Sequence, residues 1–218
     1  MPTILIIGAT RGLGSALLSA YAAHPTNTIY GTTRSPTAPP SPPSNTHWIP
    51  SIDLLLPTAA SAIASAIPKT HPIDILIISA GIFPKESLGA VDWEGEVKTY
   101  TTSAIAPVFI VHELVGAGLL GGGAKVVLVG SEAGSVALRH EKEGGGNYAH
   151  HGSKAAVSMV GKLLSLDLKD RGVAVGVVHP GFMRTDMTKG VGFDQYYESG
   201  GGKLEPKLNR SVSPSASL

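Results

Sequence analysis

The apolar run Thr3 to Ile7 enters Gly8-Ala9-Thr10-Arg11-Gly12-Leu13-Gly14 and leaves it as Ser15-Ala16-Leu17-Leu18, which has the makings of a helix. A strand that turns into a helix this abruptly needs glycines, because the backbone reverses tightly and its amide N–H groups must be open to an anion. The positive end of the helix dipole adds to the attraction, so the chemistry on offer is pyrophosphate binding. Gly8, Thr10, Arg11, Gly12, Leu13 and Gly14 are the first candidate ligand residues. Thr32-Thr33-Arg34, at the end of a second apolar run, supplies the next. A carboxylate there would hold a ribose 2′-hydroxyl and repel a 2′-phosphate, whereas a guanidinium pairs with the phosphate. Thr33 and Arg34 stand at that point with Arg11 in the glycine turn and no acid, which favours NADP.

These residues must be carried by a sheet. Short apolar runs recur at Thr3 to Ile7, Thr28 to Thr32, Trp48 to Ile52, Asp74 to Ile78, Lys125 to Val129 and Val173 to Val178. Most are apolar on both faces, as buried parallel strands are, and most are followed by a small-residue turn and a segment with helical spacing. The pattern predicts an α/β fold: a Rossmann-type doubly wound parallel sheet of about six strands. The clearest helix runs from Tyr148 to Lys169, with Ala156, Val157, Val160, Leu163, Leu164 and Leu168 on one stripe and Gly172 as its stop. Ser35 to Ser44 is too proline-rich for a helix, so the second crossover is expected to be an extended loop. Residues 1–199 read as one domain, and the Gly, Ser and Pro-rich stretch 200–218 as a flexible polar tail.

Composition narrows the function. The 218 residues are 43% hydrophobic and 15% charged, enough for a single large core. Cysteine is absent, so thiolate chemistry is excluded and redox chemistry would need a cofactor. A net charge of +1 without basic blocks gives nucleic acid little to bind. No stretch approaches the roughly 20 apolar residues of a membrane helix, and the expectation is a cytoplasmic protein.

The ordered motifs resemble the short-chain dehydrogenase/reductase family, and within it the small C-factor-like branch. After the glycine turn come Asp53, Ile73 to Ser79-Ala80-Gly81, Gly130-Ser131-Glu132-Ala133-Gly134-Ser135, Gly152-Ser153-Lys154-Ala155-Ala156 and His179-Pro180-Gly181-Phe182-Met183-Arg184-Thr185. The resemblance implies that Asp53 meets the adenine ring, that Ser79, Ala80, Gly81, Lys154, Pro180 and Gly181 line the cofactor, and that Thr185 holds the nicotinamide carboxamide. It implies a small-molecule substrate and a possible homo-oligomer. The usual seventh strand looks truncated, which would leave the sixth as an exposed edge.

Hydride reduction of a carbonyl needs a proton donor, a second hydrogen bond to the oxygen, and a group that tunes the donor. The family supplies Tyr, Ser and Lys, with an Asn behind the Lys. Ser131 and Lys154 match, but four residues before Lys154, where the tyrosine belongs, stands His150. The Asn position falls on Ser103, four residues before Pro107. A neighbouring ammonium disfavours imidazolium, so His150 is expected to be mostly neutral. Tyr148 takes the donor role instead if the helix begins after Gly152 and the preceding loop folds the phenol inward. Adjacent His150 and His151 should point apart, with no carboxylate spaced to complete a metal site. Trp93, Glu94 and the segment Phe193 to Glu198 read as packing and a substrate-covering loop. The resulting expectation is an NADP-dependent oxidoreductase acting on a carbonyl or alcohol. The alternative is an NADP-binding protein whose pocket has left redox chemistry for a regulatory, isomerase or cyclase role.

Overall fold

The computed structural model describes residues 1–190 and 192. Six parallel strands lie in the order β3-β2-β1-β4-β5-β6: β1 Thr3–Ile7, β2 Thr28–Thr32, β3 Thr46–Ile49, β4 Ile75–Ile78, β5 Lys125–Val129 and β6 Ala174–Val178. The order reverses between β1 and β4, which sit side by side with Ile4 opposite Ile75 and Ile7 opposite Ile78. That reversal opens a crevice at the carboxyl ends of the strands, where sheets of this kind bind ligands.

Helices cover both faces: α1 Gly12–Ala22, α2 Ala59–Ala66, α3 Trp93–Tyr100, α4 Ala106–Gly116, α5 Tyr148–Asp167 and the short α6 Asp186–Gly190. One core gathers Leu5, Ile7, Ile63, Leu76, Ile110, Leu114, Leu128 and Val157; the other, under α1, gathers Ile4, Ile6, Leu18, Ile29 and Ile77. Alternate residues of β1 therefore feed opposite cores, which is why the strand has no polar face. No helix intervenes between β2 and β3, as the prolines require.

Three expectations are corrected. The third strand begins and ends earlier than Trp48 to Ile52: Pro50 has no N–H for the ladder, and Ser51 adopts φ 57, so the strand stops at Ile49. Trp93 and Glu94, read as packing and a covering loop, are exposed in the first turn of α3, which Asp92 caps by accepting from Glu94 N–H at 3.1 Å. Helix α5 ends at Asp167 rather than Lys169, and a separate 3-10 turn at Lys169–Arg171 carries the chain to Gly172, whose φ is 68. The boundary at 199, the tail 200–218, the covering segment Phe193 to Glu198 and any seventh strand lie outside the described residues. Among the described residues β6 pairs with β5 alone, and no helix is long and apolar enough to cross a membrane.

Candidate functional site

A cavity of about 1010 Å³ opens at the crevice. Its walls come from the one to four residues beyond each strand: Gly8 after β1, Thr33 and Arg34 after β2, Asp53 beyond β3, Ser79, Ala80 and Gly81 after β4, Ser131 after β5, and Pro180 and Gly181 after β6. Thr10, Arg11, Gly12, Leu13, Gly14, His150, Lys154 and Thr185 also line it.

At the glycine turn the backbone is packed against its surroundings. A Cβ on Gly8 would stand 2.9 Å from Ala80, and one on Gly14 would overlap Gly8 O and press on Ser79 Oγ. Gly8 also takes φ 86, which a side chain resists. The Ser79 hydroxyl donates to Ile7 O at 3.0 Å and lies 3.3 Å from Gly8 O, so it ties the end of β4 to the turn. Thr32 Oγ1 accepts from Gly8 N–H at 2.9 Å on the other side. At the start of α1, Arg11 provides no side-chain cap and the first turn has no acid. Helix amides without an internal acceptor suit an anion, so these residues fit the pyrophosphate of a dinucleotide. Arg11 and Arg34 are exposed on the rim, and neither is paired with an acid among the described residues. Asp53 Oδ1 accepts from Leu55 N–H at 3.0 Å, which orders its own loop. Across the cavity, the Thr185 methyl lies 3.5 Å from where a Cβ on Gly12 would be, bringing the segment after β6 over the glycine turn.

The other end of the cavity is built on α5. Gly134 lies so close to the backbone of Lys154 and Ala155 that any Cβ would overlap it, and this contact sets the Ser131 loop against the helix. Ser131 Oγ accepts from Ala133 N–H at 3.1 Å. Lys154 is buried, its Nζ donates to Val129 O at 2.7 Å, and burial lowers its pKa to about 8. His150 is 8% exposed and stacks on Phe83, centroids 3.8 Å apart. Its pKa falls to about 3, first through burial, then through Lys154 and His151. The imidazole is therefore neutral as expected, but desolvation outweighs the ammonium as the cause. His150 Nδ1 is buried with no hydrogen-bond partner.

One expectation fails here. The helix begins at Tyr148, not after Gly152, so the phenol is not folded inward. Tyr148 is 39% exposed, is absent from the cavity wall, and has its hydroxyl over Gly145. Ser103, at the position of the family's Asn, lies beneath the wall, and its neighbour Thr102 lines the cavity. A π-helical turn at Thr101–Ile105 stands just before Pro107, and Ser103 Oγ within it is buried and unpartnered. His150 and His151 differ by 80° in ring plane, yet both face the cavity. Sequence reasoning missed Phe83, Thr102, His151 and Glu132, and gave His179 no role of its own; all five line the wall, with Glu132 3.8 Å from His179 Nε2. Only Phe83 had a usable signal, as an aromatic two residues beyond Gly81.

Fold and site together define a doubly wound α/β protein with a dinucleotide cradle at its switch point. The family model described as short chain dehydrogenase matches residues 2–195, and the chain belongs to that family of nicotinamide-cofactor oxidoreductases. It is 34% identical over 119 residues to C-signal of Myxococcus xanthus, covering 54% of this chain and 70% of that one. It is 31% identical over 215 residues to the short chain dehydrogenase gsfK of Penicillium aethiopicum, covering 88% and 82%. Among solved structures, the carbonyl reductase Sniffer of D. melanogaster superposes with a TM-score of 0.73 at 26% identity, covering 86% of this chain and 83% of that one.

Proposed function

We propose that this chain is an NADP-dependent oxidoreductase acting on a carbonyl or alcohol group of a small molecule. The observation that carries the reading is the joint presence of Ser131, His150 and Lys154 in the wall of the cavity whose far end is the glycine turn, with Arg11 and Arg34 at its rim. The arginines, with no acid at the end of β2, support a 2′-phosphate and so NADP over NAD. When bound, the nicotinamide supplies or accepts a hydride. The chain's own residues bind and orient: Ser131 keeps its hydroxyl proton to donate to a substrate oxygen, since its Oγ accepts from Ala133 N–H. Neutral His150 offers a second hydrogen bond, and with a pKa of about 3 it is not the proton source. Lys154, lowered to about 8, titrates near enough to neutrality to release or take up the proton that accompanies the hydride.

The neutrality of His150 and the position of Tyr148 favour a second reading: a nucleotide-binding protein that uses this pocket for isomerisation, elimination, cyclisation or regulation. The experiment that divides the two is NADPH oxidation against a panel of aldehydes and ketones, run on the wild type and on His150→Tyr. Turnover that rises on restoring the phenol supports the oxidoreductase; none in either protein supports the second reading.

A further inference from the structure

The first turn of α5 lacks a cap from its own sequence. Asn147, the preceding residue, takes a left-handed φ of 51 and its side chain makes no capping bond. The amide of Ala149 instead donates to the carboxylate of Glu86, 63 residues earlier, at 2.7 Å. The main chain of Glu86 completes the joint, since Asn147 N–H donates to Glu86 O at 3.0 Å and Glu86 N–H donates to Asn147 Oδ1 at 3.5 Å. Gly146 approaches until a Cβ on it would stand 2.6 Å from Glu86 O. Ala149 is fully buried and Glu86 nearly so, which strengthens a charge-assisted bond at a helix N-terminus and makes its loss costly.

One oxygen of this carboxylate, Oε1, is buried without a hydrogen-bond partner. Glu96 of α3 holds its proton more firmly than an ordinary glutamate, through burial first and then the nearby charge of Glu86. His151 Nδ1 donates to Asn147 O at 3.0 Å, so the same joint also holds that ring.

We infer that Glu86 is a positioning residue of the cavity: its carboxylate, accepting from Ala149 N–H, fixes the first turn of α5 and with it the bearing of Asn147, His150 and His151 on the ligand. This rests on the cavity being the functional site, but the joint itself is measurable without ligand.

The test is amide hydrogen exchange and amide and imidazole NMR on the ligand-free full chain and on Glu86→Ala and Glu86→Gln, with NADPH affinity measured in parallel. The wild-type Ala149 amide is expected to be protected. In E86A protection falls by about tenfold or more, the His150 resonances move and NADPH affinity drops; E86Q, whose amide oxygen still accepts, recovers part of this. Unchanged Ala149 protection in both Glu86 variants, or His150 resonances that ignore the loss of protection, would overturn the inference. If E86A does not fold, E86Q against the wild type decides. Absence of NADPH binding in the wild type would count against the functional reading, while the amide and imidazole signals still decide this one.

Discussion

His150 and Phe83 lie face to face, their ring centroids 3.8 Å apart and their planes 6° from parallel. Phe83 follows the Gly81 turn beyond β4, so the segment after that strand covers the imidazole and shields it from water. That shielding is the main reason His150 stays neutral.

A pH dependence of stability follows. The folded-state pKa of His150, about 3, lies below its ordinary 6.5, so between these values the unfolded chain binds more protons. Stability is therefore lost as pH falls through that window, by at most about 1.4 kcal/mol per pH unit from this residue. His150→Phe, which keeps the stack, should flatten that slope in urea unfolding curves measured across the window. An unchanged slope would show that the imidazole is not buried as described.

Lys154 behaves in the same sense at higher pH. Its pKa of about 8 lies below the ordinary 10.5, so stability rises as pH climbs between the two. Lys154→Met should remove that rise and forfeit the bond to Val129 O. It should weaken nucleotide binding by about tenfold or more, read by cofactor fluorescence.

Gly14→Ala would force a Cβ into Gly8 O and Ser79 Oγ. The expected cost is about 3 kcal/mol with loss of nucleotide binding, because neither neighbour is the free end of a flexible side chain. A shift of several degrees in the thermal midpoint is the check. A variant that kept wild-type stability and affinity would contradict the tight packing of the turn.

Much of the architecture was legible because its signals are local. The alternation of apolar runs with turns, the glycine turn and the stop at Gly172 each rest on a few adjacent residues. Lys154 and Ser131 were likewise found from short motifs. Contacts across distance in the chain were not legible: nothing near Glu86 announces that it caps a helix 63 residues later, or near Phe83 that it covers His150. That Thr102 reaches the wall was hidden for a different reason. A motif count gives a place in the chain and not the face it turns, and the π-helical turn there has no distinctive composition.

The account depends most directly on the cavity holding a nicotinamide dinucleotide through the glycine turn and the rim arginines. The measurement that tests this is titration of the wild type and of Arg34→Asp with NADPH and NADH by cofactor fluorescence. NADPH is predicted to bind about tenfold or more tightly than NADH to the wild type, with the preference lost or reversed in R34D. Failure of the wild type to bind either nucleotide would contradict the account.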